Sequence, residues 1–150
     1  MQKFAAAGAG FLLAVLWFDL MFDIQVLRQK ANEVPEPVLA SISAYYKRVT
    51  TDASPMGRLV ALVMVATIAS TVAEVVGNHG PHWAGWSSLA FVISAVALAG
   101  GRTVPRAVRL ATRQDPPSVQ SALARSILRD HLACLAAIAA LLVVQLTWAR

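Results

Sequence analysis

Two aspartates one helical turn apart, Asp19 and Asp23, stand in the stretch LWFDLMFDIQV among tryptophan, phenylalanine and leucine. Residues four apart share a helix face, so both carboxylates would look the same way. A histidine, His131, opens another apolar run in LRDHLACLAAIAALL, directly after Arg129 and Asp130. An imidazole held by a carboxylate is equipped for proton transfer, because it changes charge near neutral pH and the acid fixes its tautomer. His131 is thus the candidate proton acceptor, with Asp19 or Asp23 orienting it. The same acids can also be read structurally. Asp19, Asp23 and Asp130 would then form an ion-pair cluster with Arg58, Arg102 and Arg129, with Arg58 and Arg129 favoured as partners of the first two. An unpaired acid at mid-bilayer costs up to about 3 kcal/mol, so pairing alone would explain them. Cys134 reads as a small core residue.

A second group of polar residues is Glu74, His79, His82 and Gln145, preceded by the stripe Thr67, Ser70 and Thr71. One carboxylate and two histidines match the protein ligand count of a catalytic zinc. A histidine pair in the turn GNHGPHWAGW is weakly specific, however, and neither metal nor cofactor is expected. Trp83, Trp86 and Trp148 suggest an aromatic belt at a membrane interface, with the histidines beside it and Glu74 bonded within the bundle. Nothing in the chain matches a phosphate loop, a nucleophile elbow or a haem-attachment motif.

What must position these residues is a set of helices. The 150 residues are 57% hydrophobic and 14% charged, with mean hydropathy +0.60. Soluble domains carry about 25% charged residues. Apolar segments at about 4–22, 59–76, 83–100 and 128–148 each approach the roughly 20 residues that cross a bilayer. The expected fold is all-α: a four-transmembrane-helix bundle forming one integral membrane domain over 1–150. Small residues precede the first apolar run instead of following it, so this run reads as a retained span and not a cleaved signal. The single Cys leaves no internal disulfide.

Charge placement gives the orientation. Of the 13 lysines and arginines, eleven lie in the connections 27–58 and 101–130. The positive-inside rule puts both connections in the cytoplasm and both termini outside, in a bacterial inner membrane. Anionic lipid headgroups satisfy that charge, and no nucleic acid is needed. Within the first connection, Val38, Leu39, Ile42, Tyr45, Tyr46 and Val49 recur at helical spacing. They predict a short cytoplasmic interfacial helix between spans 1 and 2, its tyrosines at headgroup level; a helix packed on the end of the bundle fits the pattern equally. Asp115-Pro116-Pro117 marks a helix start, with Asp115 as the capping acceptor, so the fourth helix should project beyond the membrane. Ala6/Gly10/Ala14, Ala69/Ala73, Ala90/Ser94, Ala133/Ala137 and Ala136/Ala140 read as seams where helices approach closely.

TVPRAVRLA after the third span and ARSILRDHLACLAAIAALL leading into the fourth resemble the anthrone-oxygenase-like family of small four-span membrane proteins. The LWFDLMFD element has no counterpart in that pattern. The resemblance implies a cofactor-free oxygenase or a relative of one, with His131 as the position to test. Two function classes therefore compete. The leading one is a non-enzymatic membrane module, an accessory subunit or a binder of lipid or a small hydrophobic molecule, since no ligand set, nucleophile or nucleotide motif stands out. The other is a small membrane enzyme acting on an apolar aromatic or quinone-like substrate through His131. Partners in either case are membrane lipids, a hydrophobic small molecule, and subunits of the same or another kind within the membrane. A cavity between the helices that reaches His131 favours the enzyme, and a closed Ala-rich interior favours the module.

Overall fold

The computed structural model describes residues 2–29, 33–77 and 80–147. Its elements are all helical: α1 (Gln2–Asp23), α2 (Glu36–Lys47), α3 (Ser54–Val76), α4 (His82–Leu98), α5 (Val104–Thr112) and α6 (Pro117–Thr147). A 3-10 turn, Ile24–Val26, follows α1, and π-helical turns at Arg48–Asp52 and Ala99–Thr103 lead into α3 and α5. Four helical stretches are long and apolar enough to cross a membrane: Gln2–Val26, Pro55–Val76, His82–Thr112 and Pro117–Thr147.

Proline sets several of the starts. Pro37, Pro55 and Pro105 lie in the first turns of α2, α3 and α5, where a missing N–H costs nothing. Pro105 also explains a difference from the sequence reading, which ended the third span at Gly100. The chain stays helical through Gly100 and Gly101 by widening to a π turn, which accommodates the hydrogen bond that Pro105 cannot donate. The helix stops only at Arg113, which adopts φ 57° in the left-handed region. α6 starts at Pro117 as the prolines require and runs 31 residues, or about 46 Å. Asp115 does not spend its carboxylate on a helix cap. Arg109 grips it with two hydrogen bonds, at 2.9 and 2.7 Å, and these bonds hold the Asp115 carboxyl below the usual carboxylate range.

α1 and α4 each pack against both α3 and α6, which closes a four-helix ring. Its inward face only partly follows the predicted small-residue pairs, of which Ala6, Ala73, Ala137 and Ala140 are half-buried. Ala5, Ala9 and Leu12 are buried on α1, whereas Ala14 is exposed and Gly10 would meet nothing within 4 Å. Ala69, Ala90, Ser94, Ala133 and Ala136 are exposed too. The buried positions of the ring include Thr67, Thr71, Glu74, Ser88, Cys134, Ile138, Leu141 and Gln145. Polar side chains turn inward because a hydrocarbon environment offers them no partner, and Phe4, Trp17, Leu62, Val76 and Val143 point out where lipid is an equally good solvent.

At one end of the ring, α2, α5 and the first half of α6 form a second layer, called here the cap. Leu39, Ile42, Leu110 and Ile127 are fully enclosed there, with Val26, Val34, Leu123 and Leu128 around them. Burying each such aliphatic side chain contributes roughly 1.5–3 kcal/mol. A ladder of ion pairs borders this layer: Arg109 with Asp115, and Arg113 with Glu36. The helix α2 is therefore packed against α5 and α6 by its apolar face.

The tightest approach in the ring is Gly8 against Thr67, whose Oγ1 lies 2.1 Å from where a Cβ on Gly8 would sit. Gly8→Ala should lower stability in detergent by about 1–3 kcal/mol through overpacking, and Gly10→Ala should leave it unchanged. Thermal unfolding of both variants checks this, and Thr67→Ala should rescue Gly8→Ala.

Candidate functional site

Asp19 and Asp23 end α1 on one face, and His131 meets both from α6. His131 Nδ1 lies 2.6 Å from Asp23 Oδ2, and Nε2 lies 3.8 Å from Asp19 Oδ2. The remaining partners come from α2. Tyr46 donates to Asp23 Oδ1 at 2.5 Å, and Tyr45 donates to Asp19 Oδ1 at 2.7 Å. Adjacent residues on a helix diverge by about 100°, so Tyr45 and Tyr46 can reach two acids only because those acids stand one turn apart. The Tyr45 ring is stacked on Phe22, centroids 4.0 Å apart and 10° from parallel. The tyrosine hydroxyls thus face a carboxylate pair, not a headgroup layer.

This corrects the expected partners. Arg58 and Arg129 are exposed, and among the described residues neither forms an ion pair with Asp19 or Asp23. Arg129 precedes Asp130 and His131 on α6, and successive 100° rotations send the three side chains in different directions. Asp130 is turned to the π turn and α5, where Arg102 Nε approaches at 3.2 Å and Arg106 Nη1 at 3.3 Å. Arg106 also bonds the buried Ser126. The acids thus divide into two groups: a tyrosine–histidine network on Asp19 and Asp23, and an arginine pair on Asp130. The sequence reading missed Tyr45, Tyr46, Arg106 and Ser126. The available signal was the tyrosine pair on the apolar face of α2, next to acids that needed donors.

The network has a defined polarity. A carboxylate only accepts, so the hydrogen at His131 Nδ1 belongs to the ring and points at Asp23. Both Asp23 oxygens are then engaged, and Nε2 is the ring's free acceptor in its neutral form. Asp19, His131 and Thr103 form the polar part of the lining of a cavity of about 130 Å³ between α1, α3, α4 and α6. Leu12, Leu16, Val60, Met64, Val96 and Ile138 line the rest. Cys134 borders the same space and is buried, its Sγ 3.5 Å from the Ala95 carbonyl oxygen.

At the far end of the ring, Gln145 Nε2 donates to Glu74 Oε2 at 2.8 Å and to Ser88 Oγ at 3.1 Å. Glu74 is thus bonded within the bundle, to an amide. His82 is exposed in the first turn of α4, beside the exposed Trp83 and Trp86. His79 and Trp148 lie outside the described residues. Among the described residues no three His, Cys, Asp or Glu side chains are grouped to hold a metal.

No known protein family, curated protein or solved structure matches this chain.

Burial and the neighbouring Asp23 charge push the Tyr46 hydroxyl well above its ordinary value, and burial and Asp19 do the same for Tyr45. A group whose folded value is raised contributes stability that is complete below its unfolded value, about 10 for tyrosine, and is lost as pH rises past it. The wild-type chain should therefore lose stability above about pH 10. Tyr46→Phe should start lower, by about 1.5–3 kcal/mol for a hydrogen bond to a charged group, and show a flatter alkaline limb. Unfolding curves across alkaline pH would refute the network if the two limbs were parallel.

Proposed function

We propose that this chain is a small polytopic membrane enzyme. It binds an apolar aromatic or quinone-like molecule inside the bundle and withdraws a proton from it through His131. The observation that carries the reading is the cavity of about 130 Å³ whose one polar end is Asp19 and His131. That volume is near the roughly 150 Å³ of an apolar cavity known to take benzene, so it suits a single ring with any longer substituent directed towards lipid. Asp23 holds Nδ1–H and so aims Nε2 at the cavity, and its negative charge compensates the imidazolium that forms when Nε2 takes a proton. Asp19, fixed by Tyr45, stands 3.8 Å from Nε2 and favours the same charge. A desolvated pocket strengthens these interactions relative to water. The resemblance of the segments around Arg106 and His131 to the anthrone-oxygenase-like family supports the aromatic substrate class and a reaction without a bound cofactor.

A non-enzymatic module is the second reading. It is favoured by the way the network joins α1, α2 and α6, with both Asp23 oxygens used in holding the fold. A chromophoric ligand separates the two. 4-Nitrophenol bound by the purified protein should show the absorbance of its anion at a pH where it is neutral in solution, in proportion to occupied sites. His131→Gln should bind it as the neutral phenol, and Ala99→Leu, which fills the cavity, should not bind it at all. If the wild type binds without ionising the probe, His131 is not the proton acceptor.

The proposed setting is a bacterial inner membrane, with the cap and its arginines in the cytoplasm and both ends of the chain outside. A periplasm-dependent phosphatase reporter should be active when fused at Gly80 and silent at Val34. The opposite pattern would invert the topology and place His131 towards the outer face.

A further inference from the structure

Glu74 is a buried acid that the His131 site does not use. It is 5% exposed, and Gln145 beside it 3%. Gln145 spends both amide hydrogens, on Glu74 Oε2 and Ser88 Oγ. Among the described residues, Glu74 Oε1 and Gln145 Oε1 are buried with no hydrogen-bond partner. No ion pair reaches Glu74 among the described residues. A lone carboxylate in a low-dielectric interior is costly, and a half-satisfied polar group adds to the cost. Glu74 also lines a space of about 10 Å³ together with Gly80, Pro81, His82 and Trp86. That is close to the room one water needs, and His82 at its edge is exposed.

We propose that Glu74 is a proton-exchange site on the far face of the bundle, taking a proton on Oε1 from solvent by way of His82 and this water-sized space. The proton removes the uncompensated charge and leaves the Gln145 bond to Oε2 intact. A metal cation suits the site less well, because the Gln145 amide nitrogen already occupies Oε2 and Ser88 Oγ, two of the oxygens it would need. α3 packs against α1, α4 and, at its other end, the π turn Arg48–Asp52, and α6 reaches Glu74 through Gln145. Among the described residues at this end they bring two titratable groups, Lys3 and His82, both exposed. The buried Leu12, Val92, Ile138 and Leu141 separate Glu74 from His131, so the site is independent of the chemistry proposed there.

Dicyclohexylcarbodiimide, an apolar reagent that adds to a carboxyl group only in its protonated form, tests the assignment on the purified chain in lipid nanodiscs. Peptide mass mapping should find the adduct on Glu74, falling at least about tenfold between pH 5 and pH 9, and none in Glu74→Gln. His82→Gln should slow the response to a pH jump without abolishing the adduct. Infrared difference spectra offer a reading free of reagent access: the carbonyl band of a protonated carboxyl should be present in the wild type and missing in Glu74→Gln. Absence of that band, labelling that ignores pH, or protection by sodium at fixed pH would each overturn the proposal.

Discussion

Asp23 is where three helices are tied to one carboxylate. It ends α1, takes the Tyr46 hydroxyl from α2 on one oxygen and the His131 ring from α6 on the other. In water such bonds would compete with solvent and contribute about 1 kcal/mol each. Fully enclosed, the acid has no alternative partner, so leaving any member unpaired costs more than making the bond gains. This asymmetry fixes the rotation of α1 and α6 about their axes, and it also brings α2 back onto the end of the ring. Once those rotations are set, Asp19 falls beside Nε2, Asp130 is turned to α5, and the cavity opens between them.

The molecule changes its packing logic along α6. In the cap half, Leu123, Ala124, Ile127 and Leu128 are buried with the apolar faces of α2 and α5, as in a soluble domain. In the second half only Cys134, Ile138, Leu141 and Gln145 are buried, at the spacing of a single seam. Water supplies the driving force for the first arrangement, and lipid removes it from the second. Small residues were read as seams on the premise that close approach is the chief device for helix association. Here the seam combines hydroxyls, an amide, buried alanines and medium-sized aliphatics, with close approaches at Gly8 against Thr67 and at Gly85 against Val75.

What the sequence made legible follows from periodicity and cost. Apolar length located four helices, and prolines located helix starts. The expense of polar groups in hydrocarbon singled out Asp19, Asp23, Glu74, His131 and Gln145. Partners were not legible, because they depend on helix rotation and on how a connection folds back. Arg58 and Arg129 were attractive partners on charge alone, yet they lie on exposed faces, and tyrosines supplied the donors instead. Gly100 and Gly101 were read as an end because composition does not show that a π turn can carry a helix through a proline.

The two buried acid sites differ in a way that bears on what each can do. The Asp19–Asp23–His131 network has a donor for each acid, and Asp19 and His131 line a mostly apolar space large enough for a small molecule. Glu74 has an oxygen without a partner among the described residues and lines a space the size of one water. Satisfied acids beside room for a ligand are what the proposed chemistry needs, since the polar groups are already held in place. A site with an unsatisfied oxygen and room only for water is arranged to gain and lose the smallest ligand available.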